Sequence, residues 1–375
     1  MNSFKGTISA VCMNNVLKSK FNDVETLSVP FSDGGDNLLD TLDALFNYHI
    51  IKKEIITSHP CNKNDLVNSC YIINKNECFI ESASFIGYRL LSKPNVYKSS
   101  SYPLGEAILD CLNLKETKHI FIGLGGSSTN DMGAGMLKAL GGSFLDKNKN
   151  ELFPCGGNIK DIYSLEFSNF NKKIYDIDFT ILSDVKNPLL GKNGATYVYA
   201  KQKGAKEEDL LLLEKGMNNL ANLYETYSNK KVKDIEGSGA AGGLGMAFLT
   251  FFNSKIISGA DYILNSKFLN ENLKSSTCVF TGEGRIDMSS FYGKGSIEII
   301  KKAKEINPNI KIILLCGSIQ KEAKEKITRE FSNVLIIPML DNALLYKKSI
   351  QKQVALDIFK KTIDLNFSKI KEMIE

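Results

Sequence analysis

Residues Ile122 to Gly141, reading IGLGGSSTNDMGAGMLKALG, constrain the fold of this chain more than any other stretch. An apolar run over His119–Leu124 breaks into glycines and hydroxyls and then takes up amphipathic helical spacing, which is a strand–loop–helix unit. Gly123, Gly125 and Gly126 let the backbone turn tightly and approach a ligand closely. Ser127, Ser128, Thr129 and Asn130 supply hydroxyl and amide donors, and the helix N-terminus behind them offers free N–H groups and a partial positive charge. That layout suits an anion such as a phosphate. An ordinary βα turn with a hydroxyl N-cap has the same local pattern, so the remainder of the chain has to decide between them.

Similar units recur along the chain. Leu27–Phe31 reads as a strand entering Ser32-Asp33-Gly34-Gly35-Asp36, followed by helical spacing of Leu38, Leu39, Leu42 and Leu45. Short β-rich runs at Ile50–Ser58, Val67–Asn74 and Cys78–Ser82, with turns at Asn62–Asp65 and Asn74–Glu77, predict an antiparallel meander. Gly105–Leu114 and Glu207–Tyr227 read as helices, and Ile177–Leu182 as a strand ending at Ser183-Asp184. Gly237–Gly245 reads as a Gly/Ala loop, and the strand Thr277–Thr281 meets Gly282-Glu283-Gly284-Arg285. The last segment alternates helix Ser296–Glu305, strand Lys311–Cys316, helix Lys321–Phe331, strand Val334–Ile337 and a terminal helix from about Ile350. Alternation of this kind predicts an α/β fold with parallel sheets covered on both faces and ligands at the strands' carboxyl ends.

Composition bounds the alternatives. A chain of 375 residues, 43% hydrophobic and 24% charged, has room for two ordinary domains. The most apolar runs, Ile310–Cys316 and Val334–Leu340, have strand length, so no membrane span is expected. Met1–Lys5 lacks the apolar region of a targeting segment. The net charge of +5 is spread out and gives no argument for nucleic acid. Eight cysteines without a C-x-x-C pair disfavour a zinc site or a disulfide framework, which together with the N-terminus predicts a cytoplasmic protein.

Charged residues fall beside the glycine turns. Asp33, Asp184 and Asp287 stand at or just past predicted strand ends, as do Lys5, Arg285 and Lys294. Carboxylates there can hold Mg²⁺, and cations there can neutralise a transferring phosphoryl group. Each has a plainer reading as well: Asp33 as a helix cap, Asp184 as an Asx turn ahead of Asn187-Pro188, Arg285 in a structural ion pair. A helix N-terminus gives an anion about 0.3–2 kcal/mol, far below the roughly 8–23 kcal/mol by which enzymes lower barriers. Metal, lysine and arginine have to supply most of the rest.

Taken jointly, the motifs resemble those of the bacterial-type class I glycerate kinases. They arise in family order across nearly the full chain: Ser3–Thr7, Ser32–Gly35, Gly125–Asp131, Ser183–Leu189, Gln202–Ala205, Gly239–Gly243, Thr281–Asp287 and Gly293-Lys294. The resemblance implies ATP- and Mg²⁺-dependent phosphorylation of D-glycerate, with the 2-hydroxyl favoured as acceptor. It implies a Rossmann-like parallel-sheet domain formed by both chain ends, residues 1–58 and 275–375, plus an inserted second α/β domain, residues 59–274. The ATP phosphates are expected on Gly125, Gly126, Ser127, Ser128, Thr129 and Asn130. Mg²⁺ is expected on Asp184 or Asp287, one of which orients the attacking hydroxyl. Lys5 and Arg285 are expected to meet the γ-phosphoryl oxygens or the glycerate carboxylate, and the oligomeric state is left open.

The chain also departs from the family pattern. Members usually begin with an apolar strand ending in Pro-Asp, whereas Asn2 stands here where that Asp would be, so a missing strand is expected, with the chain either an incomplete gene model or a marginally stable, weakly active protein. Asp36 replaces a Glu, Ser289-Ser290 replaces Gln-Thr, and Lys201 replaces a proline. A non-catalytic relative is therefore one alternative. A nicotinamide-dependent oxidoreductase is another, because Gly237–Gly242 fits G-x-G-x-x-G with Asp261 beyond it. The polar segment Asn229–Glu236 ahead of that loop argues against the buried strand such a fingerprint needs.

Overall fold

The computed structural model describes residues 4, 8–35, 37–46, 50–291, 295–339 and 352–375. The chain divides into two compact units. One comprises Gly34–Leu39 and His49–Gly259, the other Met1–Asp33, Asp40–Tyr48 and Ala260–Glu375.

The middle unit is built on a sheet in the order β1-β2-β3-β4-β7-β8. Its strands are β1 (Ile51–His59), β2 (Asn62–Asn74), β3 (Glu77–Glu81), β4 (His119–Gly123), β7 (Asp178–Leu182) and β8 (Ser254–Ile257); β5 (Ser143–Leu145) and β6 (Ser164–Glu166) pair separately. The meander β1-β2-β3 is antiparallel as expected, but the first turn lies at Pro60-Cys61, and Asn62–Asp65 is already strand. From β3 through β4, β7 and β8 every pairing is parallel, so the carboxyl ends of these four strands share one edge. Ile80, Ile120, Ile122, Phe179 and Ile181 are buried, and Phe79 stacks on its register partner Phe121 with ring centroids 4.6 Å apart. Five-residue runs of this kind carry enough apolar area to need cover on both faces.

The other unit has a parallel three-stranded sheet, β11-β10-β9, from β9 (Cys278–Ile286), β10 (Lys311–Ile319) and β11 (Val334–Pro338). Period-2 alternation along β10 divides its side chains between two cores. Ile313 and Leu315 join Met13, Leu17, Phe21, Phe359 and Ile363, whereas Ile312, Leu314 and Cys316 join Ile297, Ile300 and Ile327. Both chain ends thus cover one face of the sheet, the α/β arrangement read from the alternation.

Three expectations need correction. Leu27–Phe31 lies in no strand: Pro30 lacks the ladder N–H, and Leu27 is exposed. The boundary at residue 58 falls inside β1, whose antiparallel pairing to β2 along its length keeps it in the middle unit. The helix Lys267–Ser275 belongs to the terminal unit, where Leu273 packs with Ile297 and Ile300. Among the described residues no helix is long and apolar enough to cross a membrane.

Candidate active site

In the middle unit, glycines bring three turns together behind the strand ends. A Cβ on Gly34 would lie 2.6 Å from the Leu182 carbonyl oxygen, and one on Gly125 would lie 2.5 Å from the Gly35 Cα. The Glu81 carboxylate at the end of β3 accepts the Leu39 amide at 3.3 Å, anchoring the segment that follows the paired glycines. Leu124 N–H donates to Leu182 O at 3.0 Å, tying the loop after β4 to the end of β7. Ser183 and Asp184 follow directly, with Asp184 half-buried.

The loop hydroxyls face inward. Ser127, Ser128, Thr129, Asn130 and Asp131 are all buried. The Ser128 amide and hydroxyl both donate to Ile86 O, at 2.7 and 2.9 Å, and Tyr88 N–H donates to Gly126 O at 3.1 Å. The loop is therefore zipped to residues 86–88 through the Ser128 donors and the Gly126 carbonyl. Among the described residues no acceptor takes the amide N–H of Gly125, Gly126, Ser127, Thr129 or Asn130. Thr129 Oγ1 and Asn130 Oδ1 are likewise buried without a partner. Orphan buried polar groups are uncommon and call for a ligand or water. Half-exposed Gly125 and Gly126 open the row of amides to solvent.

The helix behind the loop differs from expectation. It spans only Ala134–Ala139, and its N-cap is Gly133 with φ 69°, so no loop hydroxyl caps it. Residues 131–133 intervene because the Asp131 carboxylate gathers the turn. It accepts from Ser101 N at 2.7 Å, Ser101 Oγ at 2.8 Å, Gly135 N at 3.2 Å and Gly133 N at 3.3 Å. Burial raises its pKa against the opposing pull of these donors.

Lys203 is a site residue that the reading of strand-end charges missed. It ends the 3₁₀ turn Lys201–Lys203, is 2% exposed, and donates from Nζ to Thr129 O at 2.7 Å and Ser127 Oγ at 3.1 Å. Burial pushes this ammonium down to about 7, with the Asp131 carboxylate pulling the other way. Only its place in the Gln202–Ala205 motif marked it in the sequence. A kinked segment closes the other flank: Ala241, Gly242 and Gly243 all have positive φ, and Met132 N–H donates to Gly242 O at 3.1 Å. A Cβ on Gly242 would lie 2.1 Å from Thr129 O. Gly237–Gly242 follows turn, not strand, so it is a close-packing element and lacks the context of a nicotinamide fingerprint.

Lys5, Asp36, Gly293 and Lys294 are outside the described residues. Thr281–Ile286 is strand, not a loop past a strand end, because Arg285 and Ile286 keep pairing with Ser318 and Ile319 of β10. Arg285 is exposed and meets Asp287 at 3.5 Å. Asp287 heads the turn Met288–Phe291 by accepting the amide and hydroxyl of Ser289 at 2.9 and 2.5 Å, and that hydroxyl, with the amide's help, lowers its pKa. Glu283, beside them on β9, accepts the Ser296 hydroxyl at 2.7 Å and has its pKa raised by burial.

Among the described residues no three His, Cys, Asp or Glu side chains cluster as metal ligands. Mg²⁺ commonly needs only one or two carboxylates when substrate phosphates and waters complete its shell. Asp184, a hard oxygen donor beside the amide-rich loop, fits that mode.

Comparison with known proteins converges on one family. Residues 1–359 match the sequence profile of the Glycerate kinase family. A glycerate kinase of Halalkalibacterium halodurans is 32% identical over 95% of this chain and 95% of its own. A glycerate 2-kinase of Escherichia coli K12 is 32% identical over 91% of each chain. A crystal structure from Salmonella typhimurium, of a protein provisionally designated glycerate kinase 2, superposes with a TM-score of 0.72 at 27% identity, covering 98% of this chain and 97% of that one.

Proposed function

The chain belongs to the glycerate kinase family, whose named members are phosphotransferases, and from that premise we propose that it transfers the γ-phosphoryl group of ATP to the 2-hydroxyl of D-glycerate. The observation that carries this reading is the set of acceptor-less amides at Gly125, Gly126, Ser127, Thr129 and Asn130 at the shared carboxyl edge of the parallel strands. Such donors are suited to polyphosphate oxygens, and being fixed before the ligand arrives they need no reorganisation. The 2-hydroxyl is favoured because the Escherichia coli relative is named a glycerate 2-kinase.

In this reading, the amides of Gly125, Gly126, Ser127, Thr129 and Asn130 hold the phosphates of ATP. Asp184 orients the glycerate hydroxyl and accepts its proton as the oxygen–phosphorus bond forms and ADP leaves. Mg²⁺, held by Asp184 with the phosphates, would supply charge neutralisation on the transferring group. Asp184 is preferred to Asp287 because it follows β7 directly, whose last residue, Leu182, accepts the Leu124 amide at the start of the glycine loop. Lys5 and Arg285 are the candidates for gripping the glycerate carboxylate or the γ-phosphoryl oxygens. Their alanine variants separate the two roles, the first chiefly raising KM for glycerate, the second chiefly lowering kcat.

The test is a coupled assay of ADP formation across glycerate and related hydroxy acids, with phosphorus NMR of the product. Transfer to the 2-hydroxyl gives a phosphorus signal split by a single methine proton, whereas transfer to the 3-hydroxyl gives splitting by a methylene pair. Folded protein that leaves ATP untouched in the presence of D-glycerate would refute the reading.

A further inference from the structure

Lys203 poses a question that phosphate binding by backbone amides does not answer. A lysine is almost never fully buried unless it is paired, yet among the described residues no carboxylate lies within ion-pair distance of Lys203, and its two partners are a carbonyl and a hydroxyl of the loop. Asp131 is the charged group that acts on it, but that carboxylate is already occupied by the Ser101, Gly133 and Gly135 donors. The ammonium is thus sealed directly behind the peptide units whose N–H groups lack acceptors.

We propose that Lys203 is a positioning residue of the nucleotide site: by holding Thr129 O and Ser127 Oγ from behind, it fixes the loop's peptide planes with their N–H groups turned toward the phosphates and adds a positive charge beneath them. The inference rests on the reading that ATP binds this loop. Two features make it more than a packing contact. Thr129 O accepts from Nζ and also lies so near Gly242 that a Cβ there would be 2.1 Å away, so the peptide between Thr129 and Asn130 has little freedom to rotate. Burial also holds Lys203 at about 7, close to neutrality, so an anion in front of the loop favours the protonated form and binding gains from it in return.

The experiment compares wild type with K203M in steady-state kinetics and calorimetry. K203M should raise KM and Kd for ATP about tenfold or more while changing KM for D-glycerate less than about twofold. Wild-type affinity for ATP should fall as pH rises from about 6.5 to about 8.5 and the ammonium loses its proton, a trend K203M should lack. If K203M does not fold, the wild type alone decides: its melting-temperature rise on adding ATP should be larger at the lower pH, although ATP itself carries less charge there. Wild-type ATP affinity in K203M, or an ATP effect that grows with pH in wild type, would overturn the inference. Absence of ATP binding by wild type would remove the underlying reading instead.

Discussion

Ser101 and Asp131 form a two-way contact at the root of the loop: the Ser101 amide and hydroxyl both donate to Asp131 Oδ2, at 2.7 and 2.8 Å, and the same hydroxyl accepts the Met136 amide at 2.9 Å. Two residues thus join the start of helix Tyr102–Leu112 to the first turn of Ala134–Ala139. Asp131→Ala leaves the Ser101 and Gly135 donors buried without an acceptor, at roughly 1–3 kcal/mol for each group. Asp131→Asn keeps one acceptor oxygen and should lose less. Urea unfolding should show D131A destabilised by at least about 3 kcal/mol, and equal stability of D131A and wild type would contradict this account.

Gly242 stands in the left-handed region at φ +71°, and a Cβ there would meet Thr129 O at 2.1 Å. Gly242→Ala should therefore displace the Thr129 peptide as well as strain its own backbone, with a loss of about 1–3 kcal/mol or more. Its signature is a weaker affinity for ATP alongside a lower Tm. A variant with a lower Tm and unchanged ATP affinity would show that the loop tolerates the displacement.

The pH dependence of stability follows from Lys203 with a definite sign. Its folded value is about 7, against about 10.4 for an unperturbed lysine. Between those values the unfolded chain binds the extra proton, so stability should rise with pH across that window, by at most about 1.4 kcal/mol per pH unit, and be lowest below it. The slope should disappear in K203M. Urea midpoints for the two proteins at about pH 7, 8 and 9 measure the difference, and parallel curves would contradict the assignment.

Metal removal should separate turnover from stability. Because no three candidate ligands cluster among the described residues, Mg²⁺ is expected to arrive with the nucleotide and not to brace the free protein. EDTA should abolish phosphoryl transfer and leave the Tm of the nucleotide-free protein unchanged. A Tm that falls with EDTA would reveal a structural metal.

Asp184 and Asp287 should part company. Asp184→Asn should lower kcat about 100-fold or more, as for loss of a positioned base or metal ligand. Asp287→Asn keeps an oxygen acceptor for Ser289 and should change stability and kcat far less. The reverse pattern would move the chemistry to the turn at Met288–Phe291.

Local features were legible in the sequence where local physics decides them. β4, β7, β10 and β11 appear as short apolar runs with turn residues at their ends, and the meander as β-rich runs between polar turns. The direction of the loop hydroxyls was not, because their partners are remote: Ser128 reaches Ile86, 42 residues back, and Lys203 reaches Ser127 across 76 residues. For the same reason Gly282–Arg285 read as a glycine turn, when pairing with β10 keeps it extended. Asp287 carried a ligand reading, and its bonds to Ser289, two residues on, add a local cap pattern read from the sequence only at Asp33.

The most direct test of the central claim is hydrogen exchange, read peptide by peptide, with and without ATP and Mg²⁺. If the unmatched amides of Gly125, Gly126, Ser127, Thr129 and Asn130 hold the phosphates, the peptide containing them should exchange markedly slower once nucleotide is bound, the sign of new amide hydrogen bonds. Saturating nucleotide that slows exchange elsewhere and leaves this peptide unchanged would contradict the account.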